Sequence, residues 1–428
     1  MITYQRFVLD NGLRFLVHED DSTPMVAMNV LYNVGAKDES PQRTGFAHLF
    51  EHLMFEGSAN IPNFDMPIQL AGGENNAFTN SDVTNFYNHL PAENLETAFW
   101  LESDRMHDLN ITEKSLNKQR KVVVEEFKET CLNQPYGDVW HHLLDLAYTQ
   151  HPYRWPTIGL IPEHVEKANL NEVRSFYNKF YRPNNAIIVI SGNCNLNQIQ
   201  TLAEKWFGDI PKGNIETREL PKEPAQTSFR RKVHSAAVPV DSIHIAFHTH
   251  DRLSPSYYIV DLISDILCNG QSSRLYRKLL KEQELFSEID CYITGTIDPG
   301  LLVIEGKPAD GISIEQAEAA IWKELELLKT NQLSKAELQK IKNKAESTLV
   351  FSELSILNKA MNLAYFELLG NPDLINEEAL KYQTITVEDI QSQAQELFVK
   401  ENCSTLIYQA NGKYEYEEED EDEDDDDE

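Results

Sequence analysis

The chain has 428 residues, of which 41% are hydrophobic and 10% aromatic, and its formal net charge is −31. This length favours two domains of roughly 200 residues each, and the composition indicates packed globular structure rather than disorder. The acidic balance argues against nucleic acid and anionic membrane as partners, and no apolar run reaches the about 18 residues that a membrane-spanning helix needs.

The first half of the chain alternates between strand and helix patterns. Apolar and polar residues alternate over 4–18 and 25–34, and the turn signal Asp10-Asn11-Gly12 indicates a β-hairpin. Helical spacing follows over 44–56 and 112–131. A Pro-Asn-Asn turn then leads into a β-branched strand that ends at Gly192, and the helix NLNQIQTLAEKWFGDIP closes this half.

The second half repeats this order after a segment that is rich in proline and charge. It begins with the strand SIHIAFHTH and the helix YYIVDLISDILCNG, and strands and helices continue to about residue 409. We therefore predict an α+β fold with two similar domains, each an antiparallel or mixed β-sheet with helices packed on one face. The predicted divisions are a first domain over 1–210, a linker over 211–232, a second domain over 233–412 and a solvated, disordered acidic tail over 413–428.

The most informative short motif is HLFEH, in the helix predicted over 44–56. Residues four apart lie on one face of a helix, so His48 and His52 can reach one metal ion, and Glu51 faces the same cleft. Apolar side chains at helical spacing mark the opposite face as the one that anchors the helix in a core. These are Phe46, Leu49, Phe50 and Leu53. The alternative is two histidines that cap neighbours on an ordinary amphipathic helix.

A catalytic zinc site normally needs a third protein ligand from another element. The helix that begins at Thr112 carries Glu125 and Glu126 near its end, and Glu126 borders the predicted buried stripe, whereas Glu125 points further towards solvent. Because paired glutamates on a helix are usually solvated, the residue pattern alone makes Glu126 a weak candidate.

Several motifs together resemble one known family. HLFEH, GGENNAFT at 72–79, RKVVVEEF, HPYRWPTIG at 151–159, YRPNNA at 181–186 and GQSSRLYRKLL at 270–280 occur in the order found in the pitrilysin, insulysin and mitochondrial processing peptidase family of inverted zinc peptidases.

The resemblance implies peptide hydrolysis with Zn²⁺ as cofactor. It makes His48, His52 and Glu126 the zinc ligands and Glu51 the general base. It also implies a substrate-binding edge strand that pairs with an extended peptide through its backbone. The residues expected in that role are Gly73, Asn75, Asn76, Ala77 and Phe78. A plain hairpin after the Gly-Gly turn is the alternative for these residues.

The sequence departs from the family pattern at two places. Gln119 stands where the family usually has a glutamate that supports the zinc site, and we expect it to approach the site as a neutral hydrogen-bonding group. Leu280 and Ser287 stand where active members have an arginine and a tyrosine that hold the substrate. Arg274 and Arg277 lie nearby in the wrong register and are expected to be surface or packing residues.

These departures lead to an expected partner. Two-domain members of the family work as clam-shell dimers, so the resemblance implies that this chain is half of such a dimer. We expect a heterodimer whose homologous second subunit carries the Arg/Tyr pair. A self-sufficient homodimeric peptidase and a non-catalytic scaffold subunit are the alternatives.

The remaining histidines and the cysteines are two further features of the sequence. His244, His248 and His250 share one face of a strand and could form a second metal site, although a solvent-facing strand is the preferred interpretation, and His141 and His142 are weaker candidates still. The five scattered cysteines favour free thiols, and the first residues lack a signal-peptide pattern. We expect a bacterial cytoplasmic protein, or a periplasmic one whose leader was removed.

Overall fold

The computed structural model describes residues 1–214, 218–330 and 333–414. The first of its two sheets has six strands in the order β1-β2-β6-β3-β5-β4. The hairpin predicted around Asp10-Asn11-Gly12 is confirmed as the β1–β2 pair, and β2 runs parallel to β6. The strands are β1 (Gln5–Val8), β2 (Arg14–Glu19), β3 (Met25–Tyr32), β4 (Glu74–Thr79), β5 (Thr84–Pro91) and β6 (Ala186–Gly192).

The second sheet has five strands in the order β7-β11-β8-β10-β9. Its pairings match those of the first sheet one for one, because β7 and β11 are parallel as β2 and β6 are, and the remaining neighbours are antiparallel in both sheets. The topology therefore shows two equivalent halves, and the first half has one extra strand, β1. The strands are β7 (Arg230–Ala236), β8 (Ser242–His248), β9 (Phe286–Ile293), β10 (Leu301–Pro308) and β11 (Cys403–Ala410).

Helices connect the strands in the same order in both halves. In the first half they are α1 (Phe46–Leu53), α2 (Asp65–Leu70), α3 (Leu95–His107), α4 (Glu113–Phe127), α5 (Val139–Ala147), α6 (Pro162–Glu166), α7 (Leu170–Phe180) and α8 (Leu196–Phe207). In the second half they are α9 (Pro255–Cys268), α10 (Ile314–Thr330), α11 (Lys335–Ser352), α12 (Ile356–Leu368), α13 (Leu374–Thr384) and α14 (Val387–Leu397).

The two halves exchange one helix each. Helix α5 packs on β7, β8 and β11 of the second sheet, and α12 packs on β2, β3 and β6 of the first. Buried apolar residues fill both contacts, among them Leu143 on α5 and Leu363 on α12. Each sheet therefore has its own helices on one face, as predicted, and a helix from the other half on the opposite face.

A buried polar cluster also joins the halves. The Asp82 carboxylate accepts hydrogen bonds from Lys37 Nζ (2.6 Å), Tyr153 Oη (2.5 Å) and the backbone N–H of Ile297 (3.0 Å). Both partners of Oδ1 belong to the first half, whereas the partner of Oδ2, Ile297, belongs to the second, so Oδ2 gains this bond only when the halves are docked. A buried carboxylate that lost these partners would be destabilising.

The α+β fold with two similar domains is confirmed. The domain boundaries stay predictions, although β7 begins at Arg230, inside the segment predicted as linker. Residues 415–428 of the predicted acidic tail lie outside the described residues. Within the described ranges, no helix is both long and apolar enough to cross a membrane.

Candidate metal centre

Helix α1 is fixed at its N-terminus by contacts that only particular residues allow. Gly45 has a φ of 85°, and a Cβ at this position would lie 2.7 Å from the carbonyl oxygen of Ile158. The buried Glu39 carboxyl accepts hydrogen bonds from the backbone N–H groups of Gly45 (2.9 Å) and Ala47 (2.8 Å). Burial raises the pKa of Glu39 to about 8. The two hydrogen bonds favour the charged form and lower the pKa, but the effect of burial is larger.

The predicted anchoring face of α1 is confirmed. Its apolar residues are all buried in the core of the first half, where Phe50 stacks on Phe176 and Tyr181. The other face of the helix holds His48, Glu51 and His52, each of which is partly exposed. The sequence therefore presents the polar side chains of HLFEH on the side of the helix that the core leaves uncovered.

Glu126 reaches these histidines from α4. That helix begins after Thr112, whose hydroxyl accepts a hydrogen bond from the backbone N–H of Ser115 (3.1 Å). Glu126 Oε1 lies 3.5 Å from His48 Nε2, and its Oε2 lies 3.2 Å from His52 Nε2. Glu125, its neighbour, is exposed and pairs with Lys128.

These distances fit a metal ion. One ligand atom from each of His48, His52 and Glu126 lies within 4.8 Å of the other two. Ligand bonds of about 2.0–2.2 Å in tetrahedral geometry place ligand atoms about 3.3 Å apart. The two imidazole nitrogens and one carboxylate also form the donor set of the hydrolytic zinc sites that keep a position open for water.

The protonation states support the same reading. Burial lowers the pKa of His48, and the contact with His52 lowers the pKa of Glu126. Both shifts favour the forms that bind a cation, a neutral imidazole and an ionised carboxylate.

Glu51 is held differently from the ligands. Among the described residues, no side-chain hydrogen bond or ion pair involves its carboxylate, although its charge acts on His48. A carboxylate that is partly exposed beside the ligand group and has no hydrogen-bond partner is available to accept a proton.

Gln119 is buried on α4, two turns before Glu126. Its Nε2 donates to Glu56, which also accepts a hydrogen bond from Lys118 Nζ (2.6 Å). Its Oε1 has no partner among the described residues. The expected support of the zinc site by Gln119 stays a prediction.

The predicted substrate-binding residues lie on and beside β4, an edge strand of the first sheet. β4 pairs with β5 on one side only and is alternately exposed, and α1 packs beside it. A Cβ on Gly73 would lie 2.6 Å from Leu90 Cβ, so a glycine is needed where the chain enters the strand. Asn75 donates to Asp65, and Asn76 accepts from the backbone N–H of Ala77, while Phe78 is exposed.

Leu280 and Ser287 line one cavity between the halves, to which the first half contributes Tyr136, Val139 and Trp140. It has a volume of about 690 Å³, and its lining includes Lys281 and Lys307 but no arginine. Arg274 pairs instead with Glu337 and Arg277 with Glu282, outside this cavity, as expected.

The interpretation of residues 243–251 as a solvent-facing strand is wrong. β8 is the central strand of the second sheet and is buried over most of its length, because α5 covers the face that the pattern left open. His244 contacts Ser242 and Glu305, and His248 binds the carbonyl oxygen of Ala147. His250 contacts Gln393 and Glu396, so these three histidines do not form one group.

Asp138, His142 and His234 form a second group of potential ligands, of which only His142 was named from the sequence, as a weak candidate. Its ligand atoms also lie within 4.8 Å of one another. The Asp138-x-x-x-His142 spacing at a helix start was a possible signal, but His234 comes from the other half of the chain. No local pattern could connect them.

Comparison with known proteins defines the class first. Residues 14–159 match the model of the insulinase family, peptidase family M16, and residues 167–345 match that of the peptidase M16 inactive domain. Both matches are to peptidase M16 domains, and together they cover most of the two similar α+β halves. The chain belongs to peptidase family M16, which includes insulinase and pitrilysin.

Individual relatives agree with this assignment. The zinc protease PqqE of Helicobacter pylori is 26% identical over 417 residues, which cover 95% of this chain and 92% of that protein. The crystal structure of a protease from H. pylori superposes with a TM-score of 0.90 at 25% identity, covering 96% of this chain and all of the other. A peptidase M16 inactive domain from Pseudomonas fluorescens has the same fold, with a TM-score of 0.86 at 17% identity and coverage of 95% and 98%.

Proposed function

We propose that this chain is the zinc-binding, catalytic subunit of a metalloendopeptidase that cleaves oligopeptides or unfolded segments. The observation that carries the proposal is the convergence of His48, His52 and Glu126 beside the unpaired Glu51 carboxylate. The relatives that are named zinc proteases support both the metal and the reaction class.

Each site residue has a defined task in this proposal. The three ligands would hold Zn²⁺, which when bound would supply a Lewis acid for the scissile carbonyl and for water, whose pKa such sites lower to about 7. Glu51 accepts the proton of the attacking water and then delivers it to the leaving amine. No side-chain hydrogen bond or ion pair from the described part of the chain occupies this carboxylate, so both of its oxygens are available for this transfer.

The proposed substrate site is the open edge of β4. An extended peptide that adds to this strand would hydrogen-bond to its free backbone groups, beside the ligand-bearing helix. Binding through the backbone requires an unfolded segment and gives loose sequence preference. Gly73, Asn75, Asn76, Ala77 and Phe78 keep their predicted role in this proposal.

We also propose that the active form is a heterodimer. Leucine and serine occupy positions 280 and 287, where the family resemblance implies an arginine and a tyrosine. The cavity that they line contains no arginine, although Tyr136 and Tyr276 are part of its lining. A homologous partner that carries the Arg/Tyr pair would complete the substrate clamp. The proposed location is the cytoplasm of a bacterium, which the five unpaired cysteines support.

The test compares the chain alone with the chain co-expressed with a homologous M16 subunit from the same genome. We expect one zinc ion at the HLFEH site in both preparations, and chelator-sensitive peptide cleavage only in the pair. Glu126→Gln is expected to remove this zinc and the cleavage, whereas the matched Glu125→Gln on the exposed side of α4 leaves both unchanged.

The possible outcomes separate the alternatives. Full cleavage by the isolated chain would indicate a self-sufficient homodimer. Zinc binding without cleavage in either preparation would indicate a scaffold subunit. If Glu126→Gln left zinc binding unchanged, the proposed metal centre would be wrong.

A further inference from the structure

Asp138, His142 and His234 lie where the two halves of the chain meet. Asp138 immediately precedes α5, His142 follows one turn later, and His234 comes from β7. Alternate residues of β7 face α5, since Arg230 Nη1 donates to the carbonyl oxygen of Leu146 near the other end of that helix. Helix and strand therefore lie side by side and bring these side chains together.

Their separations are those of a metal-ligand group. Asp138 Oδ2 lies 3.1 Å from His142 Nε2 and 4.0 Å from His234 Nε2. These values bracket the about 3.3 Å expected between ligands of a tetrahedral ion. The imidazole ring centroids are 4.1 Å apart.

The surroundings orient these groups towards a common point. The Tyr408 hydroxyl donates to Asp138 Oδ1, which leaves Oδ2 directed at the imidazoles. His142 Nε2 is buried and directed at Asp138 Oδ2, so the nitrogen and the oxygen that would bind an ion face each other.

The ionisation states favour a cation. Burial opposes ionisation of Asp138, but its interactions with His142 and Tyr408 outweigh burial and bring its pKa to about 2. Burial also lowers the pKa of His234, which favours the neutral imidazole that binds metals.

The positive charge of a neighbouring lysine, Lys232, disfavours the binding of a cation at this group. Lys232 Nζ lies 2.8 Å from His142 Nδ1, so its positive charge is close to the group. A metal on Nε2 requires the proton on Nδ1, and Lys232 must then turn away. Its side chain is only partly buried, which allows this movement.

We propose that Asp138, His142 and His234 form a second metal site, distinct from the HLFEH site, that binds one divalent transition-metal ion. Two imidazoles and one carboxylate suit Zn²⁺, Co²⁺ or Ni²⁺ rather than Ca²⁺ or Mg²⁺. The ion would cross-link α5 to β7, and hence the first half of the chain to the second.

The test uses the full chain with the first site removed by His48→Asn and His52→Asn. Titration with Co²⁺ is followed by the visible absorption of the ion, and bound Zn²⁺ is counted by elemental analysis after dialysis. We expect one ion per chain in this background, together with a rise in thermal stability when the ion is added.

Further variants in the same background assign the ion. His234→Asn is expected to abolish the absorption and the stabilisation, whereas the matched His250→Asn, at a histidine outside both groups, leaves both unchanged. Lys232→Met is expected to tighten binding by about tenfold, because it removes a nearby like charge. All variants carry the same acidic C-terminus, so differences between them do not arise there.

The Lys232 variant keeps the test decisive if His234→Asn weakens folding. Three results would each overturn the proposal. They are no bound ion in the chain that carries His48→Asn and His52→Asn, equal binding in the His234 and His250 variants, and weaker binding after Lys232→Met. A structural role for the cluster predicts no gain in metal affinity from removing the lysine charge.

Discussion

Helix α1 of the first half and α9 of the second occupy equivalent places, since each follows the antiparallel strand at the middle of its sheet, β3 or β8. The two helices differ in what covers them. α9 is longer and packs against α11, α13 and α14, and its Asp261 carboxylate is bound by Tyr382 Oη (2.5 Å). α1 has eight residues and leaves His48, Glu51 and His52 partly exposed.

This difference in coverage gives equivalent helices of the same fold different roles. In the second half, α13 binds polar groups of α9. Asp261 accepts a hydrogen bond from Tyr382, and the Tyr258 hydroxyl donates to Glu378, so these groups stabilise the fold. In the first half one face remains open, and the residues on it converge with Glu126. We therefore expect metal binding and catalysis in the first half. The second half is expected to stabilise the fold or to contact the substrate.

The largest expected effect comes from removing the proposed base of α1. Glu51→Gln should lower peptide cleavage by roughly 10²- to 10⁴-fold, because the amide cannot take a proton from water. Zinc content should stay at the wild-type level, which elemental analysis checks. Undiminished cleavage would show that the open face of α1 lacks the assigned role.

The exchanged helices offer the second test. Leu143→Ala on α5 and Leu363→Ala on α12 should each lower the free energy of unfolding by about 2–5 kcal/mol, since both leave cavities under a sheet of the other half. Thermal or denaturant unfolding measures this, with Leu132→Ala, at an exposed leucine, as control. Two separate unfolding transitions, with only one affected by each variant, would contradict the coupling of the halves.

The sequence was sufficient for the parts of this comparison that depend on local spacing. The apolar face of α1, the start of α4 at Thr112 and the inward position of Glu126 relative to Glu125 follow from helical periodicity and capping. The roles of these residues came from the family resemblance, because two adjacent glutamates carry no such information by themselves.

The rest depends on contacts between distant segments. That α5 covers the second sheet could not be read from its own sequence, and for this reason His248 was expected to face solvent. The same long-range contact brings His234 to Asp138 and His142. Periodicity identifies which face of an element is apolar but not which part of the chain covers it.

A double substitution in the second half should give it the substrate-holding residues that it lacks. L280R combined with S287Y restores the family's substrate-holding pair in the second half. If this chain also self-associates, the double variant alone should cleave peptides at least about tenfold faster than wild type, as one charge-assisted contact to the substrate supplies at least 1.4 kcal/mol. The control is Arg277→Gln, outside the cavity.

A lack of gain in a double variant that is dimeric by sedimentation would argue against the role assigned to these positions. A gain that also appears in the Arg277 control would argue against its specificity.

The smallest expected effect is the pH dependence of the free energy of unfolding. The folded pKa of Glu39, beside α1, is about 8, and that of Asp261, on α9, is about 6, both raised by burial from ordinary values of 4.5 and 3.8. Between its ordinary and its folded pKa each carboxyl binds a proton only in the folded chain. The free energy of unfolding should therefore fall as pH rises, by up to about 1.4 kcal/mol per pH unit for each group.

The two groups act in different pH windows. Asp261 contributes its slope from about pH 4 to about pH 6, and Glu39 continues to about pH 8. Denaturant titrations of Glu39→Gln should show a shallower decrease between pH 6 and pH 8 than those of the wild type. An identical pH dependence in this window would contradict the raised pKa of Glu39.

The first half is expected to bind zinc through His48, His52 and Glu126. The most direct measurement is X-ray diffraction from crystals of the zinc-loaded chain at energies above and below the zinc absorption edge. An anomalous peak about 2.0–2.2 Å from both Nε2 atoms and a Glu126 oxygen is the expected result. Well-ordered histidines with no peak between them and Glu126 would contradict the account.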